Sequence, residues 1–242
     1  MPRILPDAND VLVLTLSEGT STHPNAGAAG SSGDWAEYGS PVNNATGLIS
    51  INNSKKAIYI PGSILISSVR NGAGGANDTL ASPNISLSGW VFMRKYPTVA
   101  GEIFNKQYAL NSWSAPFLTF GFQMHTTQDG QIDLYITSGG ALQSVLRAPS
   151  NYGLPVGSWC HLGGTWDGTT MKMYINGSLA TSANYTATID FGTANRGQWY
   201  VGGIPGTSVN QESSIIVQDI RVANIARPQS YFADIYFNGF LP

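Results

Sequence analysis

Two turn dipeptides, Asp167-Gly168 and Asn176-Gly177, lie between alternating apolar residues in the stretch 159–183 and constrain the fold more than any other feature. Asp-Gly and Asn-Gly accept the positive φ of tight hairpin turns, so the stretch reads as a three-strand antiparallel meander with a two-residue turn at each dipeptide. Met171, Met173 and Ile175 alternate with Lys172, Tyr174 and Asn176. The lysine places the second set on the more solvated face and the first set in the core. On the preceding strand Cys160, Leu162 and Trp166 share one parity, and His161 has the other.

The same pattern recurs along the chain. Strands are predicted at 11–16, 48–52, 56–62, 85–93, 102–106, 117–124, 131–137, 198–202 and 214–222. In the 85–93 strand Ile85, Leu87, Val91 and Met93 share a face, opposite Ser86, Ser88, Trp90 and Phe92. Trp90 and Phe92 of that second set read as packing beneath a covering loop. Long polar stretches run over 17–46 and 61–84, and the shorter loop at 107–116 carries Tyr108 and Trp113. Pro228 at the head of 226–237 predicts a helical turn there. About twelve strands separated by turn signals give an all-β, antiparallel two-sheet β-sandwich of the jelly-roll kind. Residues 1–9, with two prolines and no periodicity, read as an extended arm, and 10–242 as one domain.

Charged residues make up 11% of the 242-residue chain, about half the usual share, and the net charge is −2. No basic run is longer than the two residues of Lys55-Lys56, which argues against nucleic acid and anionic membrane surfaces as partners. No apolar run is long enough to span a bilayer. The first sixteen residues, interrupted by Asp7 and Asp10, do not read as a signal peptide, so synthesis in the cytoplasm without a secretory signal is expected. The single cysteine, Cys160, excludes an intrachain disulfide and reads as a buried small hydrophobe. Six Asn-x-Ser/Thr sequons are what a chain this rich in Asn, Ser and Thr produces by chance.

Five segments, in order, resemble the laminin G-like, or concanavalin A-like lectin/glucanase, jelly-roll family. They are LVLTLSEGT, TGLISINNSKKAIYIP, ISLSGWVFMRK followed by GEIFNK, the meander with Trp159, His161, Thr165, Trp166 and Tyr174, and SIIVQDIRVANIARP with Asp219 and Arg221. The resemblance covers about residues 10–235 and implies that the first and last strands pair. It implies either binding or glycoside hydrolysis as the activity. Hydrolases of this fold carry two carboxylates on one strand face, one the acid and the other the nucleophile or base. Here Glu18, Glu37, Glu102 and Glu212 have no carboxylate two or four residues away on a predicted strand, and Asp133 is alone in its strand. No catalytic residue is therefore assigned, and the chain is expected not to be an enzyme. His23, His125 and His161 have no second ligand at metal spacing. The family's calcium sites leave two readings of Asp219: a calcium ligand, or a partner for Arg221 or a loop lysine.

Tyr108, Asn111 and Trp113 are the candidate ligand-binding residues, because sugars bind where a flat ring meets their apolar face and amides fix the hydroxyls. The expected function is a non-enzymatic recognition or structural module of a virion: a bacteriophage tail-fibre, baseplate or capsid-decoration component. Such a protein would assemble in the host cytoplasm, dock on other virion proteins through the N-terminal arm, bind surface polysaccharide and form a homotrimer. The alternatives are a polysaccharide hydrolase of the same fold and a secreted, extracellular adhesion or carbohydrate-binding module.

Overall fold

The computed structural model describes residues 7–13, 22–23, 35–38, 42–51, 54–61, 64–67, 84–96, 101–107, 119–124, 130–138, 141–186, 198–202 and 214–239. Among these the chain order is β1 (Asp10–Val13), β2 (Thr22–His23), β3 (Trp35–Tyr38), β4 (Val42–Ile51), β5 (Ser54–Pro61), β6 (Ile64–Ser67), β7 (Ile85–Lys95) and β8 (Gly101–Gln107). There follow β9 (Thr119–Met124), β10 (Ile132–Ser138), β11 (Ala141–Arg147), β12 (Trp159–Trp166), β13 (Thr170–Ile175), β14 (Ser178–Asn184), β15 (Gln198–Val201), β16 (Ser214–Ala223) and one helix, α1 (Gln229–Gly239).

The strands form two antiparallel sheets. The first runs β14-β13-β12-β7-β16-β5-β4, with β1 also paired to β16; the second runs β11-β10-β9-β8-β15-β6-β3-β2. The β1–β16 pairing joins the two ends of the chain, as the family resemblance implies. The core lies between the sheets. Leu87, Val91, Cys160, Leu162, Met171, Met173, Val217 and Val222 from the first sheet meet Phe120, Phe122, Leu134, Ile136 and Val201 from the second. Alternation selects these residues: each is on the parity opposite the polar set of its strand. At Gly164 the second sheet packs directly onto the first: a Cβ there would lie 2.8 Å from Leu134 and 3.0 Å from Phe122.

The meander forms as expected, with one difference at its first turn. Asn176 (φ 52°) and Gly177 (φ 77°) both take the left-handed conformation of a type I′ turn. The first connection is a three-residue loop, Asp167–Thr169, not a two-residue turn. The Asp167 carboxylate stabilises the longer loop by accepting hydrogen bonds from the Thr169 and Thr170 amides (3.0 and 2.7 Å) and the Thr169 hydroxyl (2.8 Å).

Other departures have local causes. The 17–46 stretch is not loop throughout: β2 and β3 pair within it, and β4 begins at Val42. The 61–84 stretch likewise contains β6. Strand β11 was not expected at all. The helical turn near the end is an eleven-residue helix. Asp7 to Asn9 make a turn, with the Asp10 amide donating to the Asp7 carbonyl (3.0 Å), so the last residues of the expected extended arm fold back onto the body.

Candidate functional site

The outer face of the first sheet carries an unusual set of buried polar side chains. Ser86 and Ser88 on β7, His161 and Thr165 on β12, and Gln218 and Arg221 on β16 point away from the sandwich core, yet all are buried. Helix α1 covers them. Tyr231, Phe232, Ile235 and Tyr236, at the i, i+1, i+4, i+5 spacing of one helix face, supply its underside. Phe232 stacks on Tyr174 (4.6 Å, 24°) and sits over Gly163, where a Cβ would lie 2.6 Å from the ring. Tyr236 stacks on Trp90 (5.8 Å, 23°). Trp90 is thus packed beneath a helix, not beneath the expected loop. Tyr174, placed by alternation on the solvated face, is buried for the same reason, while Lys172 and Asn176 of that set stay half-buried.

A buried charge cluster holds the helix down. Arg227, just before α1, donates to both Asp7 oxygens (2.8 and 2.8 Å) and to Asp10 (2.7 Å), and its guanidinium lies 4.4 Å from the Tyr231 ring centroid. The Arg227 amide donates to the Ser86 hydroxyl (2.7 Å). Arg221 chelates Asp219 through two 2.9 Å hydrogen bonds, and its other terminal nitrogen lies 4.0 Å from Asp10. The Arg227 hydrogen bonds hold the Asp7 carboxyl down at about 2. The cluster ties the start of the chain to its end.

Asp219 occupies a β-bulge between Gln218 and Arg221 and has φ 53°. The Asp219 carboxylate pairs with Arg221, one hydrogen bond on each oxygen. Among the described residues no three His, Cys, Asp or Glu side chains lie together as a metal would require. Asp133 is buried and held by Arg147 (2.8 and 3.1 Å). Cys160 is buried in the core. Tyr108, Asn111 and Trp113 lie outside the described residues, as do His125 and Glu212.

His161 is 1% exposed, 5.2 Å from the Trp90 ring and 6.3 Å from Phe232. Burial pushes its imidazole down to about 3; nearby Asp219 opposes that and Arg221 reinforces it. The folded protein therefore holds His161 neutral while the unfolded chain protonates it at the ordinary value of 6.5. Between these values the unfolded state binds more protons, so stability is full above pH 6.5 and falls as pH drops towards 3, by up to about 1.4 kcal/mol per pH unit. Unfolding titrations in urea across this range should show that slope in the native protein and a flatter one in His161→Phe.

With this architecture in place, the chain belongs to the concanavalin A-like lectin/glucanase superfamily: the laminin G-type model of that superfamily matches residues 71–230. Solved structures of the same fold include a sialidase of Trypanosoma rangeli in complex with 2,3-difluorosialic acid (14% identity, TM-score 0.67). That match covers 96% of this chain but only 33% of the sialidase. Domain 4 of AbnA, an extracellular arabinanase of Geobacillus stearothermophilus, in complex with arabinotriose, matches over 95% of this chain and 98% of its own (17% identity, TM-score 0.66). A botulinum neurotoxin type C structure, whose cell entry is described as dependent on two ganglioside molecules, matches over 97% and 52% (15% identity, TM-score 0.65). No curated protein matches the sequence. The shared feature at these identities is the sandwich itself.

Proposed function

We propose that this chain is a non-catalytic carbohydrate-recognition module that serves as a structural component of a virus particle: a bacteriophage tail fibre, baseplate or capsid decoration. The observation that carries the non-catalytic half is the state of three carboxylates among the described residues. Asp10, Asp133 and Asp219 are each engaged by an arginine guanidinium. A glycosidase needs one carboxyl held protonated and a second free to attack or to activate water. Arginine-paired carboxylates suit neither task.

The recognition half draws support from the superfamily, whose description joins lectins with glucanases, and from neighbours solved with arabinotriose or described with gangliosides. The loop bearing Tyr108, Asn111 and Trp113 is proposed as a sugar contact. The virion half rests on the low charge, the lone buried thiol and the polar loops of the sequence. Binding to an array of bacterial surface polysaccharides is the expected result, together with recovery of the chain in particles released by lysis of its source culture. An array without a hit removes the recognition role. Absence from the particles removes the virion role and favours a secreted module.

A further inference from the structure

Helix α1 covers only part of the outer sheet face, and where it ends the strand register leaves a row of rings open. Beneath the helix, Gln218, Trp90 and His161 are paired across β16, β7 and β12, and all three are buried. One row further along, Ile216, Phe92 and Trp159 are paired across the same strands on the same face, and each is only half-buried. Phe92 and Trp159 touch, with centroids 5.6 Å apart and planes inclined by 59°. Trp159 also packs against the Trp90–Ile235 cluster under the helix. The last turn of α1 stands beside that cluster: Phe237 is 67% exposed and meets Tyr236 edge-on at 5.2 Å.

The geometry points to this shelf as a binding site for one pyranose residue of a polysaccharide, its apolar C–H face on Trp159 and its edges against the inclined Phe92 ring and Phe237. Adjacent strands lie about 4.8 Å apart, so the notch between two cross-strand rings is comparable in breadth to one substituted sugar ring. Two of the three half-buried side chains of the row are aromatic, as is the exposed Phe237. A ring face carries the partial negative potential that attracts polarised C–H bonds, and Trp and Tyr keep a polar edge for hydroxyls. A protein partner fits less well. A stable interface needs about 800 Å² from each side, and a few half-covered rings of about 150–250 Å² each when whole fall short of that.

This inference rests on the carbohydrate reading and gives it a contact surface among the described residues. The test is calorimetric titration of the native chain and two variants with linear arabinan, laminarin, dextran and bacterial O-antigen. Trp159→Ala and Phe237→Ala are each expected to weaken binding about tenfold, the effect of losing one aromatic contact. Phe237 is exposed enough that its removal leaves the fold intact, so the pair stays informative if Trp159→Ala unfolds. Undiminished binding by both variants overturns the shelf and leaves the carbohydrate reading on the loop. A native chain that binds none of the four probes overturns both. A native dimer that Phe237→Ala converts to monomer also overturns the shelf, since a second copy of the chain then occupies it.

Discussion

Replacing Arg227 by alanine is expected to lower stability by about 3 kcal/mol, near the lower end of the cost of breaking a buried ion pair. The reason is Asp10, which is 1% exposed and would lose its 2.7 Å partner. Arg221, 4.0 Å away and already chelating Asp219, offsets only part of that loss. The variant also loses the contact between the guanidinium and the Tyr231 ring, and with it one of the attachments of α1. For a chain of this length such a cost lowers the melting temperature by roughly 6–12 °C, taking about 2–4 °C per kcal/mol. Asp7 matters less, because its carboxylate is half exposed and solvent screens it. Its stabilisation is complete above the ordinary value of 3.8 and is lost as pH falls through about 2. Pairing Arg227→Met with Asp10→Asn should cost less than the sum of the two single changes, since removing both charges leaves no buried orphan. Additive losses in chemical denaturation would show that the pair does not anchor the helix.

Gly177→Ala is expected to cost about 2–4 kcal/mol through two effects that act together. The residue has φ 77°, which an L side chain adopts only with strain. Its Cβ would also lie 2.8 Å from the Ala233 Cα, backbone that cannot rotate aside. The hairpin tip and the helix thus constrain each other. Hydrogen exchange in the variant should rise first in α1 and at the 175–178 turn, before the strands of the core. Loss confined to the turn would mean that the helix is not seated on it.

The parts of the fold legible in the sequence are those with local causes. The meander was readable because turn chemistry and alternation act over a few residues, and the Asn176-Gly177 turn has the geometry its dipeptide requires. The closing β1–β16 pair joins residues some 210 apart and was accessible only through the family resemblance. The short strands β2 and β3 lack apolar alternation, and β11 sits at a sheet edge with Val145 and Arg147 exposed, so their sequences carry little signal. Helix α1 was half visible. Pro228 announced its start, but its aromatic face matched no partner until the polar outer face of the sheet came into view. That face is the part of the site the sequence concealed: the parity of Ser86, Ser88, His161 and Gln218 is visible along their strands, but the helix and the segment leading into it, which bury all four, are not.

The central claim, recognition without hydrolysis, is tested most directly by following the chain length of a bound polysaccharide. The protein is incubated at saturation with the glycan that the array identifies, and the glycan is sized by chromatography over hours. The account predicts saturable binding with the size distribution unchanged. Progressive shortening, abolished by Glu102→Gln, Asp133→Asn or Glu212→Gln, would contradict it and make the chain a polysaccharide hydrolase.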